Sequence, residues 1–315
     1  MPLNGVLNVY KEKGGTSFRV VSELRKITGI RSIGHTGTLD PDAEGVLVVC
    51  IGKATKLVGL LTDTDKTYRA VMLLGKRTDT QDISGNVLEE CDMNSPDVFP
   101  DPDKIRNVFS SFTGKIGQIP PMYSALKVGG VKLVDAARRG EEIERKPREV
   151  NIYSFDNIAY NSEACEISFE VSCSKGTYIR TLCEDIGKSL GLPACLKSLV
   201  RTRAAGFCIA DSLKISDIAA LAQEGKLEEH IVPMDVMLAS YDFLVVKDKA
   251  LKKLKNGNLL APEDLSGAEG SAYPGSSGMK ECEGTFRIYD GNGSFYALYA
   301  YNKNTKTYKC EKMLI

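Results

Sequence analysis

Residues 34–47 read Gly34-His35-Thr36-Gly37-Thr38-Leu39-Asp40-Pro41-Asp42-Ala43-Glu44-Gly45-Val46-Leu47. Glycines and a proline interrupt any regular element, so this stretch predicts a tight, ordered loop. The run 46–51 follows at once, apolar and rich in Val, and reads as a strand with both faces buried. A chain carrying this pair must build a sheet interior with a polar loop at its mouth. Asp40 lies mid-loop, and Pro41 favours an extended backbone at the residue before it. A carboxylate held this way can serve as a nucleophile or general base. It can equally be the capping side chain of an Asp-Pro turn.

The whole string resembles the active-site loop of the TruB family of tRNA pseudouridine synthases, GHxGTLDPxAxGxL, and each fixed position is matched. Further segments resemble the family's motifs, in order. The opening segment 5–15 is similar to GxLxVxKxxGxTS, with Tyr10 and Glu12 where Asp and Pro are usual. It reads as a strand and glycine turn. Thr16 and Ser17 can then cap a helix running to about Thr28, with Phe18, Val21, Leu24 and Ile27 at three-residue spacing. Residues 66–75 alternate as a strand and lead into Arg77-Thr78-Asp79-Thr80-Gln81-Asp82, a polar turn that resembles the family's TDTxD motif. Residues 103–112 read as a helix. Residues 118–127 then resemble QxPPxYSAxK, the start of an insertion that grips RNA. Residues 165–173 alternate strictly, with Cys165, Ile167, Phe169, Val171 and Cys173 on one face of a half-buried strand. Residues 174–180 resemble SKGTYIR and start a helix from which Tyr178 and Arg180 can line a cleft. Residues 199–207 are similar to LxRTxxGxF, with Ala204 where Ser is common.

The resemblance, spanning about residues 5–235, implies an α+β fold. Its catalytic domain, 1–238, would have a mixed, mainly antiparallel sheet, flanking helices and an insertion over about 118–148. Residues 239–315 resemble a small β-rich PUA-type RNA-binding domain, and their spacing alone fits a plain β-rich tail as well. Within them, 262–282 read as loop, and an Asp290-Gly291-Asn292-Gly293 turn joins two strands.

The implied reaction is isomerisation of uridine 55 in the tRNA T loop. The bond from C1′ to N1 breaks, the uracil turns, and it rejoins through C5. The base must first be flipped out of its stack. The family pattern makes Asp40 the nucleophile, attacking sugar or base. Arg180 would pair with Asp40 and keep it ionised, and Tyr68 would offer its ring and hydroxyl to the uracil. His35 would fill the vacated stack or contact the extruded nucleotide, with Tyr178 and Leu199 completing the pocket and Asp82 bracing it. Lys127, Lys132, Arg138 and Arg139 would meet phosphates. No cofactor or metal is implied. The partner is the tRNA T-arm, with no membrane and no protein partner, and the chain is expected to be a monomer. A guide-dependent synthase of the dyskerin type shares the Asp40 loop. A non-catalytic tRNA-folding chaperone is the reading from another class, and it would require loss of Asp40.

Composition agrees with these expectations. The chain has 315 residues, 43% hydrophobic and 26% charged, and a formal net charge of zero. A neutral total does not favour an RNA binder, yet basic clusters at Arg25-Lys26, Arg138-Arg139, Arg145-Lys146, Arg201-Thr202-Arg203 and 252–255 can form a basic face. Acidic residues gather in 89–103, read as a solvated loop. Nine scattered cysteines without a C-x-x-C pair read as free thiols of a reducing compartment. Two histidines argue against a His-rich metal site. No signal-peptide layout or membrane-length apolar run is visible, and the expected location is the cytoplasm.

Overall fold

A computed structural model describes residues 3–93, 98–266 and 284–315. In chain order the strands are β1 (Gly5–Lys11), β2 (Ile33–His35), β3 (Glu44–Ile51), β4 (Lys66–Leu74), β5 (Lys76–Thr78), β6 (Val87–Glu90), β7 (Gly114–Gln118), β8 (Lys127–Val128), β9 (Val131–Lys132), β10 (Arg148–Asn161), β11 (Glu166–Cys173), β12 (Ala194–Ala204), β13 (Phe207–Cys208), β14 (Phe243–Val246), β15 (Leu265–Ser266), β16 (Thr285–Tyr289), β17 (Phe295–Asn302) and β18 (Thr307–Met313). The helices are α1 (Ser17–Thr28), α2 (Val58–Thr62), α3 (Pro102–Ser111), α4 (Leu133–Arg138), α5 (Ile179–Leu190), α6 (Ile215–Gln223), α7 (Met234–Met237) and α8 (Leu251–Lys255).

Among the described residues, nine strands form one sheet in the order β1-β3-β12-β4-β11-β10-β7, with β2 added at β3 and β13 at β12. The β3–β12 pair is parallel and its other pairs are antiparallel. The fold is therefore α+β with a mixed, mainly antiparallel sheet. A second sheet, β15-β14-β16-β17-β18, is built by the C-terminal residues.

β3 explains its own composition. Val46, Val48 and Cys50 face one core, shared with Leu57, Leu298 and Leu314. Leu47, Val49 and Ile51 face another, shared with Leu24 of α1 and Ile218 of α6. A strand buried on both faces has no place for a polar residue. Each such side chain contributes about 1.5–3 kcal/mol by leaving water. The third core joins β4, β11 and β12 to α3 and α5 through Met72, Phe109, Phe169, Leu182 and Ile186.

α1 begins as expected, with the Thr16 hydroxyl accepting from the Arg19 amide. Its buried face is Val20, Val21 and Leu24, however, and Phe18 is 65% exposed under the Arg25 guanidinium. A three-residue spacing falls about 60° short of a full turn at each step, so the stripe drifts off Phe18. Cys165 also departs from its expected place. It stands just outside β11 in a left-handed turn with φ 55°, while Ile167, Phe169, Val171 and Cys173 form the buried face. Part of the acidic segment 89–103 is not loop, since Glu89 and Glu90 end β6 and Asp103 lies in α3; 94–97 lie outside the described residues. Of the expected loop 262–282, residues 262–266 form a short turn and β15, and the rest, Cys282 included, lie outside the described residues. Among the described residues the cysteines are free, and no helix is long and apolar enough to cross a membrane.

Candidate active site

The loop between β2 and β3 is held at both ends and in the middle. Thr36 N donates to Val48 O at 3.0 Å. The Ser17 hydroxyl, at the start of α1, accepts from Leu39 N at 2.9 Å and donates to Leu39 O at 3.2 Å. Lys11, at the end of β1, is buried, and its ammonium donates to Pro41 O at 3.0 Å and Ala43 O at 2.7 Å. Burial pushes that ammonium below its ordinary range, and Asp40, Asp42 and Glu44 counteract the shift. Leu39 and Ala43 sink into the core on either side. The loop is thereby fixed around Asp40, whose carboxylate keeps 42% of its side chain exposed.

Arg180 meets it from the first turn of α5. Arg180 Nε lies 2.9 Å from Asp40 Oδ2, and Nη2 donates to Asp40 Oδ1 at 3.3 Å. The remaining donors go to backbone, Nη1 to Thr80 O and Nη2 to Tyr123 O, each at 2.8 Å. The guanidinium, 6% exposed, thus ties the Asp40 loop, the 79–86 turn and the insertion to one planar group. Its rigid fork suits a carboxylate gripped from one side. Burial pushes the Asp40 carboxyl above the ordinary range; Arg180 counteracts the shift and Asp82 adds to it.

Asp82 lies 3.7 Å from Arg180 Nη1. Its carboxylate is oriented by Thr80 Oγ1 at 2.8 Å and Ser84 N at 3.0 Å. The turn is stitched to β12 by Ile83 N to Leu196 O and Leu196 N to Gln81 O, at 3.0 and 2.9 Å. Asp40, Asp82, Arg180 and Leu199 line one cleft of about 160 Å³. That is smaller than pockets for drug-sized ligands and suits a single planar base.

Two expected pocket residues, Tyr68 and Tyr178, stand outside the lining of this cleft. Tyr68 does not line the cleft. It is 9% exposed and packed in the core that includes Leu39 and Ala43; burial pushes its phenol up, and the Arg201 charge opposes the shift. The alternation of β4 that aims Tyr68 toward Asp40 also buries it. Tyr178 is also absent from the lining, and its backbone is pinned by Gln118, which donates to Tyr178 O at 3.0 Å and accepts from Tyr178 N at 2.8 Å. His35 sits on β2, half-buried, with Nδ1 accepting from Gly37 N at 3.3 Å. Burial, then Arg201, lowers its pKa, which favours the neutral ring.

In the insertion, Lys127 and Arg138 lie at the β8–β9 hairpin and the end of α4, both exposed. Arg139 is engaged by Glu141 through two bonds, at 2.9 and 2.8 Å, and is not a free cation. A carboxylate two residues away competes for any phosphate there.

Sequence reasoning placed Arg201 in a matched segment and in a basic cluster but gave it no place near the site. It is 2% exposed, and donates through Nε to Val46 O at 2.7 Å and Nη2 to Gly37 O at 3.1 Å. The β12 bulges between Leu196 and Ser198 and between Arg201 and Arg203 break the two-residue alternation that signals an inward side chain. Gly45 is the partner of this arrangement. At φ 100° a Cβ there would lie 2.3 Å from Arg201 O, so glycine alone lets β3 approach β12. Gln118 and Lys11 stand at fixed positions of the matched motifs, but what they hold could not be read locally, since their partners lie 60 and about 30 residues along the chain.

Two family models match the sequence. The TruB family pseudouridylate synthase N-terminal domain covers residues 25–179, and the tRNA pseudouridylate synthase B C-terminal domain covers 180–239. A protein of Clostridium perfringens (strain SM101) named tRNA pseudouridine synthase B is 40% identical over 99% of each chain. One of the same name from Lachnoclostridium phytofermentans is 44% identical over 99% of this chain and 100% of its own. Among solved structures, a chain of a Cbf5–Nop10–Gar1 complex is 26% identical with a TM-score of 0.70, over 99% of this chain and 85% of that one. A chain of an H/ACA RNP bound to a substrate RNA containing 2′-deoxyuridine, at 23% identity and TM-score 0.69 with the same coverage, shares the fold. With its matched loops converging on one carboxylate, the chain belongs to the TruB family of pseudouridylate synthases.

Proposed function

We propose that this protein converts uridine 55 in the tRNA T loop to pseudouridine without a guide RNA. The observation that carries the reading is the Asp40 carboxylate, exposed in a base-sized cleft and gripped by Arg180, in a chain 40–44% identical to proteins named tRNA pseudouridine synthase B. Asp40 is the nucleophile on the flipped uridine. Arg180 orients it, Asp82 braces Arg180 and its loop, and Leu199 forms a cleft wall. Tyr68 acts from beneath the cleft and reaches the uracil when the occupied site loosens its packing. His35 faces the stack the uridine leaves, and Tyr178 lies at the helix start that carries Arg180. Lys127 and Arg138 take phosphates of the T-arm, with Arg139 joining them only when it releases Glu141.

Residues 1–238 form the catalytic domain and 239–315 a PUA-like RNA-binding domain. The separate core of Leu244, Ile288 and Tyr299 supports this division. We take the protein to be a cytoplasmic monomer that needs no protein partner. The guide-dependent reading rests on fold likeness at 23–26% identity, against 40–44% for the tRNA enzymes.

The test is incubation of the purified protein with an unmodified tRNA transcript, followed by pseudouridine mapping. Wild-type protein should modify one T-loop uridine. Asp40→Asn should form none while binding tRNA within about tenfold, since it removes the nucleophile and few contacts. Turnover by Asp40→Asn, or a requirement for added guide RNA, refutes the reading.

A further inference from the structure

The cleft over Asp40 is lined by three carboxylates, Asp40, Asp42 and Asp82, and three cations, Lys13, Arg180 and Lys197. An RNA strand brings phosphates to this mouth, and the carboxylates repel them. Two of the three cations are already engaged. Arg180 is occupied by Asp40 and two carbonyls, and Lys197 pairs with Glu166. Lys13 remains. It is exposed, reaches the cleft, and has no ion pair or hydrogen bond from its side chain among the described residues.

Its mounting is rigid although its side chain is free. Lys13 sits in the turn between β1 and α1, where the next residue donates from Gly14 N to Pro41 O at 3.0 Å. Two residues earlier, Lys11 grips Pro41 and Ala43. The turn therefore moves as one body with the Asp40 loop. Without Lys13 the lining would carry one net negative charge where a nucleotide must enter.

We propose that Lys13 is a substrate-binding residue that takes a phosphodiester flanking the flipped uridine. The proposal rests on the tRNA-isomerase reading above. A lysine suits this task as a mobile point charge that follows a phosphate as the nucleotide swings in.

The test uses the full chain, tRNA transcript, and T-arm stem-loops bearing a neutral methylphosphonate at either phosphate beside the target uridine. One lost phosphate contact lowers the slope of log affinity against log salt by about 0.7–0.9. Between about 50 and 200 mM salt, wild type should therefore lose about 2.6- to 3.5-fold more affinity than Lys13→Ala. The single-turnover rate at saturating tRNA should stay within about twofold, and Lys13→Arg should restore the wild-type slope. One methylphosphonate should weaken wild type and leave Lys13→Ala unchanged. Unchanged affinity and slope in Lys13→Ala would overturn the proposal. So would equal weakening of both proteins by each methylphosphonate, or a lower saturated rate with intact binding. If wild type binds tRNA but forms no pseudouridine, the isomerase reading fails by itself, and the slopes still decide Lys13.

Discussion

Arg180→Lys keeps a positive charge beside Asp40 and removes the fork. In the wild type the guanidinium serves Asp40, Thr80 O and Tyr123 O together, at 2.8–3.3 Å. A single ammonium at the end of a flexible stem cannot reach all three. Hydrogen bonds to charged groups contribute about 1.5–3 kcal/mol each, and part of two such bonds is recovered when the carbonyls meet water. The net loss is about 2–3 kcal/mol, which lowers Tm by about 4 °C for a chain this long. The carboxylate is then held at one point instead of two, and a misplacement near 1 Å costs about a hundredfold in rate. Arg180→Met tests the charge separately. Burial raises the Asp40 carboxyl and Arg180 opposes the rise, so removing the guanidinium raises it further. A nucleophilic Asp40 must be ionised, so activity grows as pH climbs through its pKa. The acid limb of the wild type should lie above the ordinary Asp range near about 3.9. It should move to higher pH in Arg180→Met and much less in Arg180→Lys. Release of tritium from C5 of the target uridine under single-turnover conditions, measured across pH, reads both effects. A wild-type rate in Arg180→Lys, or an unmoved acid limb in Arg180→Met, would refute the reasoning.

Gly45→Ala should destabilise the protein by more than about 3 kcal/mol, because its Cβ would strike Arg201 O at 2.3 Å and φ is 100°; thermal unfolding against Gly59→Ala, where a Cβ meets nothing within 4 Å, is the check. Tyr68→Phe should lose activity with little change in tRNA binding, since it keeps the ring and removes only the hydroxyl. Tyr68→Leu should also weaken binding of the flipped base by about 1–3 kcal/mol, the worth of one stacked base, and wild-type rates in both variants would make Tyr68 scaffold. Replacing Lys127 and Arg138 together with Ala should reduce the salt slope of tRNA binding by about 1.4–1.8, and Arg139→Ala by much less because Glu141 already holds it. Equal slopes for both variants, measured by filter binding, would displace the phosphate path from the insertion.

The local elements and the reacting loop are legible in the order of the amino acids alone. The apolar run of β3, the Thr16 cap of α1 and the alternation of β11 are short-range patterns, governed by backbone periods of two and about 3.6 residues. The string around Asp40 and the motifs that carry Asp82 and Arg180 are legible through their resemblance to the TruB family's motifs. The tertiary structure decided which of these groups touch. Arg180 reaches Asp40 across 140 residues, and Gln118 pins Tyr178 across 60. Arg201 reaches Val46 across 155 residues through a bulged strand whose pattern hides its direction. Exposure was decided there as well. Tyr68 and Phe18 exchange their expected surroundings because a side chain's burial depends on what packs over it, and local spacing does not contain that. Contacts between distant segments are fixed by close packing of the whole chain, so the loop that carries Asp40 is written in one stretch of sequence, while the shape and charge of the cleft around it exist only in the assembled fold.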